Sequence, residues 1–400
     1  MRLLYLADIR FPMERANGIQ TIETCHALAR RGIEVELVVR RSDARSDAEC
    51  LAFFDLAPHP NLQIRRVASR GRLVFLAHAL GALLSEWDVV YTRDLLVADL
   101  ARRISKAPVV YEAHTVAAVF AAERSEMYVA GPADTVHAGT RKAPSASKLA
   151  RLDRRERRVC TRVSGLVTIT HALLASLQER HGTLAPSLVA PDGCRVPESM
   201  PAAPAPSGRA LIYYIGQLYP WKGVDVLVHA MQHVDAELVV VGGLPPEPDL
   251  DRLRRLAGEL SIADRVHFRG FVPPAELDAE RLKASIFAVP NLDSTTARLY
   301  TSPLKLFEAM ASGRPIVASD LPSIREVLTH EDNALLVPPG DAKALAATIE
   351  RLLGDASLRA RLAKHAFEHA KNYSWEARAD RIRTMALGLA HKESEGMPEF

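Results

Sequence analysis

Four cysteines in 400 residues, Cys25, Cys50, Cys160 and Cys194, stand far apart, with no CxxC pair and no metal-ligand spacing. That argues against a disulfide framework or a zinc cluster and fits four structural thiols in a reducing cytoplasm. Charge of one sign is lacking too: 51 Lys and Arg against 48 Asp and Glu leave a formal net charge of +3. With no RNA- or DNA-reading motif beside it, that balance excludes nucleic acid as the expected partner. The longest apolar run, "VFLAHALGALL" from Val74 to Leu84, is about half of the roughly 20 residues that a spanning helix needs. The opening "MRLLYLADIRF" is interrupted by Asp8 and Arg10, so it reads as a first strand and not as a secretory signal. Walker A, GxSxG and HExxH patterns are absent, and neither "ADIR" at Asp8 nor "NLDST" at Asp293 makes an Asp-x-Asp pair. No obligatory metal and no resident cofactor are expected.

What is present suits a globular chain: 48% of residues are hydrophobic and 25% charged. At 400 residues the chain is long for one core, so two domains are expected. Short β-rich runs ("LLYLA", "VELVV", "DVVYT", "PVVYEA", "GLVTIT", "SLVAP") alternate with helical stretches near 20–31, 73–85 and 172–180, the pattern of a parallel α/β sheet. "VPESMPAAPAPSGR" then gathers Pro197, Pro201, Pro204 and Pro206 with almost nothing to bury, which reads as a linker. A second series follows, with strands "ALIYYIG", "AELVVVGG", "RVHFRGF", "IFAVPN", "PIVASD" and "ALLVPPG" and helices between them. The predicted organisation is a first Rossmann-like domain over 1–196, a linker over 197–209 and a second Rossmann-like domain over 210–373. A helix and tail over 374–400 dock back on the N-terminal domain or on the second. Doubly wound sheets bind ligands at the C-terminal ends of their strands, so the two domains are expected to face each other across a cleft.

"ADIRFPMERANGIQTIETCHALARRGIEV" reads as strand, loop, glycine and helix, with Gly18 just before the helix and Gly32 just after it. A glycine there lets backbone N–H groups approach an anion at the positive end of a helix, although an ordinary Asn-Gly turn explains it as well. The pattern is not GxGxxG, and the second strand runs into Arg40 and Arg41 instead of the acid a dinucleotide site wants. "YYIGQLYPWKGVDVLVHAM" repeats the arrangement, Gly216 ending a strand and Lys222-Gly223 opening a helix. A lysine beside a helix N-terminus opposes the dipole unless an anion sits there, so the reading is phosphate binding, set against a solvated loop lysine.

In "TSPLKLFEAMASG", Ser302 suits an N-cap, Pro303 the first helical position and Gly313 the C-terminal cap. Lys305, Glu308 and Ser312 share one line between two apolar stripes, Leu304–Phe307–Ala311 and Leu306–Met310. The Leu304 and Lys305 amides with the Lys305 ammonium suit a phosphate, and Glu308 suits two vicinal hydroxyls. A surface Lys–Glu pair is the plainer alternative. His114 follows the strand "PVVYEA", where an imidazole bonds a hydroxyl or a phosphate or simply serves the fold. Glu112 is the strand-end carboxylate available for acid–base work.

Taken in order and spacing over residues 210–355, "YIGQLYPWKGVDVLVHAM", "VVVGG", "VHFRGFV", "SPLKLFEAMASGRPIVASDLPSIREVL" and "NALLVPPGD" resemble the nucleotide-sugar half of glycosyltransferase family 4, the retaining group with the GT-B fold. The first half resembles it through "NGIQTIETCHALARRGIEVELV" and His114. The resemblance implies an α/β GT-B fold and transfer of a sugar, with retention, from a nucleoside-diphosphate sugar to an acceptor hydroxyl in bacterial glycan or glycolipid assembly. It places Lys222 at the donor diphosphate, Gly216 and Gln217 in the same loop, and Ser302, Leu304 and Lys305 by the phosphates. Glu308 falls at the ribose, Arg269, Phe271 and Val272 beside the base, and Tyr300 and His114 at the sugar, with the Gly18 loop closing on the donor. His114, Lys222 and Lys305 are the implied catalytic groups, the positive ones stabilising the leaving diphosphate.

Two positions depart from the family pattern. Tyr300 stands where the first of two glutamates eight residues apart is common, and Gln217 where an arginine five residues before the lysine is common. Lys305, often aliphatic in the family, restores the lost cation. Two other readings follow: a non-catalytic relative that binds a nucleotide or a protein partner, and a nucleotide-sugar epimerase or hydrolase.

Between Arg141 and Arg162 the chain carries nine Lys and Arg against Asp153 and Glu156 on a predicted helix. Such a helix docks on anionic lipid at about 1 kcal/mol per nearby cation, which suits a lipid-linked acceptor and a place at the inner face of the membrane; a solvated helix is the alternative. Glycans and small molecules are the other acceptor classes. Residues 116–147 read as a long loop, mobile without substrate.

Overall fold

The computed structural model describes residues 1–68, 71–127, 143–204, 208–243, 248–300 and 302–394. They divide into two compact units, the first of residues 1–121, 144–193 and 375–400, the second of 122–143 and 194–374.

The first unit runs β1 (Arg2–Phe11), α1 (Ala16–Arg30), β2 (Glu34–Arg41), α2 (Asp47–Ala52), β3 (Leu62–Val67), α3 (Arg72–Leu83), β4 (Val89–Thr92), α4 (Leu95–Ile104), β5 (Val109–Ala113), the start of α5 (Ala117–Met127), whose residues from 122 on are grouped with the second unit, then α6 (Ala146–Arg162), β6 (Gly165–Thr168), α7 (His171–His181) and β7 (Ser187–Val189). Its seven strands pair in parallel in the order β3-β2-β1-β4-β5-β6-β7. All of β4, β5 and β6 is buried, which is why these strands read as short, mostly apolar runs in the sequence, broken in β5 by Glu112. The edge strand β3, "LQIRRV", carries little apolar signal because most of it stays partly or fully exposed. The expected long loop is partly helix: "AAVFAAERSEM", rich in good helix formers, makes α5, while residues 128–142 lie outside the described residues.

The second unit runs β8 (Leu211–Ile215), α8 (Val224–Ala230), β9 (Glu237–Val241), α9 (Pro248–Glu259), β10 (Val266–Gly270), α10 (Pro274–Arg281), β11 (Ile286–Val289), α11 (Thr295–Leu299), α12 (Leu304–Ala311), β12 (Ile316–Ser319), α13 (Pro322–Arg325), β13 (Leu335–Val337), α14 (Ala342–Gly354) and α15 (Ala356–Ala370). Its six strands are again all parallel, in the order β10-β9-β8-β11-β12-β13. Successive side chains feed opposite faces. Ile212, Tyr214, Leu238 and Val240 enter one core, and Tyr213, Ile215, Val239 and Val241 enter the other.

The chain leaves the first unit after Gly193 and returns to it at Trp375. The Pro-rich segment belongs to the second unit, where the buried Arg314 guanidinium donates to the carbonyls of Pro201 (3.2 Å), Ala202 (2.8 Å) and Leu282 (2.9 Å). The last helix, α16 (Trp375–Ser394), packs on the first unit: Arg30 meets Glu376 at 2.9 Å and Arg31 meets Asp380 at 2.8 Å. A Cβ on Gly165 at the start of β6 would lie 2.9 Å from the Met385 sulfur, so that glycine lets α16 cross close to the sheet. None of the four cysteines is in a disulfide, and all are buried. Among the described residues no helix is long and apolar enough to cross a membrane.

Candidate active site

In the second sheet β8 has β9 on one side and β11 on the other, so the strand order reverses there. Such a switch point opens a crevice at the carboxyl ends of the two strands. Beyond β8 come Gly216, Gln217 and a tight turn over Pro220–Lys222, then Gly223 in the left-handed conformation (φ 66°) ahead of α8. A Cβ on Gly223 would lie 1.9 Å from the Pro290 carbonyl oxygen, just beyond β11. The Leu292 amide donates to the Trp221 carbonyl at 2.9 Å. The two strand-end loops are therefore joined backbone to backbone. Gly242 (φ 137°), at the end of β9, presses on the Gly216 carbonyl in the same way and donates to Gly270 at 2.8 Å.

Lys222 rides on this turn. Its ammonium has no hydrogen bond or ion pair among the described residues, and burial pushes its pKa down to about 8. Even partial removal from water without a counter-charge is unfavourable for a cation, and Lys222 is half-buried; an anionic ligand would reverse the imbalance.

The start of α12 lies in the same unit. Ser302 does not cap it: Pro303 takes the N-cap position in an extended conformation (φ −79°, ψ 107°), with no side-chain cap bond, and Leu304 is the first helical residue. The amides of Leu304 and Lys305 precede the Leu306 amide, which turns back to the Pro303 carbonyl at 2.8 Å. Gly313 (φ 64°) ends the helix, donating to Met310 at 3.1 Å. Lys305 and Glu308, read from the sequence as facing different parts of one ligand, are joined: Lys305 Nζ lies 2.9 Å from Glu308 Oε2. Nor is this a plain surface pair, with side chains only 27% and 14% exposed.

Arg281 from α10 donates to the same oxygen at 3.0 Å. Burial opposes ionisation of Glu308, but Arg281 and then Lys305 outweigh it and hold its pKa below the usual carboxylate range. Oε1 carries no hydrogen bond to a described residue. Arg281 escaped the sequence reading because its partner lies 27 residues away and "AERLKA" reads only as a polar helix face.

Of the remaining donor-side candidates, Tyr300 ends α11 and is 5% exposed, so its ring belongs to the packed interior. Gln217 is half-buried, and its carbonyl accepts from the Tyr214 hydroxyl at 2.5 Å. Arg269 is exposed, 3.7 Å from Glu280, with Phe271 and Val272 half-buried just beyond the Gly270 turn (φ 68°).

In the first unit Gly18 does not precede α1 but lies in its first turn, since the helix already starts at Ala16. A Cβ there would meet the Met13 carbonyl at 2.5 Å, so the glycine lets the loop after β1 fold against the helix. His114 stands just past β5 with Nε2 2.7 Å from Glu112 Oε1. Glu112 is fully buried and also accepts from Gln20 (2.7 Å), Arg378 (2.6 Å) and the Tyr91 hydroxyl. Burial works against its charge, but Arg378 and His114 prevail and keep it ionised far below the usual range. A carboxylate committed to four donors is not the acid–base group that the epimerase or hydrolase reading needs.

Among the described residues Asp153, Glu156 and His181 are grouped as metal ligands would be. Asp153 is paired with Arg180, and Glu156 accepts from the Ala117 amide (2.7 Å) and meets His181 at 3.1 Å, so these groups already serve one another. On the basic helix α6, Arg155 and Arg158 turn toward Asp99 (3.7 and 3.5 Å), while Lys148, Arg151, Arg154, Arg157 and Arg162 stay exposed. Arg141 and Lys142 lie outside the described residues.

Two Rossmann-like units on one chain, the second carrying a lysine at its switch point and a cation-bound glutamate on α12, are an arrangement that suits an α/β transferase. The family profile described as "Glycosyltransferase Family 4" matches residues 18–194, and "Glycosyl transferases group 1" matches residues 196–369. The chain belongs to glycosyltransferase family 4 and has the α/β GT-B fold expected from its sequence. It is similar to the D-inositol 3-phosphate glycosyltransferase of Corynebacterium efficiens, at 26% identity over 95% of this chain and 92% of that one. It is also similar to the phosphatidyl-myo-inositol mannosyltransferase of Mycobacterium leprae, at 33% identity over 48% of this chain and 51% of the relative. Among solved structures, sucrose-phosphate synthase from Thermosynechococcus elongatus superposes with a TM-score of 0.76 at 21% identity, covering 97% of this chain and 99% of that one. Anabaena HepE in complex with UDP gives 0.69 at 18% identity, covering 97% and 100%.

Proposed function

We propose that the protein transfers a sugar, with retention of its anomeric configuration, from a nucleoside-diphosphate sugar to an acceptor hydroxyl. The observation that carries this reading is Lys222: a half-buried ammonium without a counter-charge among the described residues, on a glycine-shaped turn at the switch point of the second sheet. On this reading Lys222 and the opening amides of α12 take the diphosphate. Lys305 exchanges its bond to Glu308 for a phosphate oxygen, which frees the carboxylate for the ribose hydroxyls. Positive charge fixed at the leaving diphosphate lowers the barrier most, because it acts where negative charge develops and needs no metal ion to do so. His114 contacts the donor sugar from the first unit, and Arg269, Phe271 and Val272 flank the base. HepE, a neighbour in fold, is solved with UDP, and the inositol-phosphate and phosphatidylinositol relatives support a polyol or lipid-linked acceptor. Turnover of a panel of nucleotide sugars by the wild type and by Lys222→Ala tests the assignment.

The protein is also proposed to work at the inner face of the membrane through α6. Besides the exposed cations of that helix, α3 shows Leu73 (81% exposed), Val74 (44%) and Leu84 just past its end (77%) to solvent. The helix α4 packs against both α3 and α6. Exposed aliphatic side chains on one neighbour of α4 and exposed cations on another suit a lipid surface better than bulk water.

A further inference from the structure

Glu112 is the centre of a buried polar cluster at the carboxyl end of the first sheet. Its Oε1 receives three donors at 2.6–2.7 Å: Gln20 from α1, His114, and Arg378 from α16, more than 260 residues further along the chain. Arg378 is itself 1% exposed and is fixed on its other sides by the Thr24 hydroxyl (3.1 Å) and by the carbonyls of Pro191 (3.0 Å) and Ala190. Arg93, beyond β4, holds the far end of Gln20 at 2.6 Å.

A carboxylate is an acceptor only, so the His114 nitrogen beside it must carry the proton. A lone buried carboxylate in that position would draw a second proton onto the ring. Here its charge is already matched by Arg378, and Arg93 adds a further positive field. We propose that Arg378 is a positioning residue for His114: anchored between Thr24 and Pro191, it neutralises Glu112, and Glu112 in turn holds the imidazole as an Nε2–H donor whose Nδ1 is a bare acceptor. The first unit then offers its ligand a group that accepts from a hydroxyl and does not bind a phosphate, and the last helix decides which. The titratable and charged groups bearing on the ring are Glu112, Arg93 and Arg378, while Tyr5, Tyr91 and Asp192 bear on Glu112 and Arg378. Burial first, and Arg93 second, bring the His114 pKa down to about 4, in keeping with a neutral ring.

The inference rests on the proposed function only for what the ligand is, and its test needs no ligand. Long-range proton–nitrogen NMR of ¹⁵N-histidine protein, with the ring assigned by His114→Asn, should show at pH 7 a neutral His114 with Nε2 protonated and Nδ1 bare. An imidazolium, or the Nδ1–H tautomer, would overturn the proposal in the wild type alone. In Arg378→Gln the His114 titration should move up by about one pH unit or more, and Arg378→Lys should bring it back. An unmoved titration in folded Arg378→Gln protein would also overturn it. A protein with the expected tautomer that consumes no nucleotide sugar would keep this inference and lose the function proposed above.

Discussion

Lys305 and Glu308 share one turn of α12 and one hydrogen bond, Nζ to Oε2 at 2.9 Å, with Arg281 donating to the same oxygen from α10. The ribose carboxylate of the proposed donor site is thus held by two cations, one of which must let go for both of its oxygens to meet hydroxyls. Glu308→Gln is expected to lower kcat/KM at least tenfold, a loss of about 1.4 kcal/mol of transition-state stabilisation. Lys305→Met should cost turnover as well, since it removes a cation from the diphosphate. Steady-state kinetics on both variants checks this; wild-type values for Glu308→Gln would remove the glutamate from the site.

Gly223→Ala should destabilise the second unit. A Cβ would be placed 1.9 Å from a backbone oxygen at φ 66°, and left-handed backbone alone costs a residue with a Cβ about 1–2 kcal/mol. Thermal unfolding should show a lower midpoint, together with weaker nucleotide binding, because the Pro290 loop must move and carry the switch point with it. An unchanged midpoint would mean that the two loops are not held as described.

The pH dependence of donor binding should report Lys222. With its pKa brought down by burial to about 8, the free protein loses this cation as pH rises through 8, so KM for the donor should climb above that pH. The sign for stability is opposite to that of a paired lysine. The unfolded chain binds the proton more tightly, so charging Lys222 opposes folding below about pH 8, and that penalty fades as pH rises toward the usual lysine value. Lys222→Met should remove the alkaline rise in KM while leaving KM high throughout.

Much of this was legible in the sequence where a residue's neighbours along the chain carry the signal. The buried parallel strands are apolar runs, and Lys222-Gly223 and the Lys305–Glu308 spacing stand beside helix starts. What was hidden depends on long-range pairing. Arg281 and Arg378 read as ordinary helix polarity until the fold brings them to Glu308 and Glu112, 27 and 266 residues away. The helix expected near residue 20 begins four residues earlier, because Ala16-Asn17-Gly18 looks like a turn in the sequence. Ser302 reads as a cap because Pro303 suits the first helical position, whereas the extended conformation of Pro303 makes that residue itself the cap.

Membrane contact should depend on charge and on α3 together. The protein should sediment with phosphatidylglycerol vesicles and not with phosphatidylcholine alone. Reversing Arg151 and Arg154 to Glu should weaken that binding at least tenfold, given about 1 kcal/mol per cation near an anionic surface. Leu73→Ser with Leu84→Ser should weaken it further. Equal sedimentation with both lipids, or none with either, would leave α6 as a solvated helix.

The most direct measurement is release of nucleoside diphosphate from a panel of nucleotide sugars, with and without candidate acceptors, followed by NMR of the anomeric proton in the product. The expected result is that one donor is consumed, the product keeps the donor's anomeric configuration, and Lys222→Ala slows turnover at least tenfold, about 1.4 kcal/mol in barrier height. An inverted product would contradict retention. No consumption of any donor, or full activity in both Lys222→Ala and Glu308→Ala, would contradict the donor site itself.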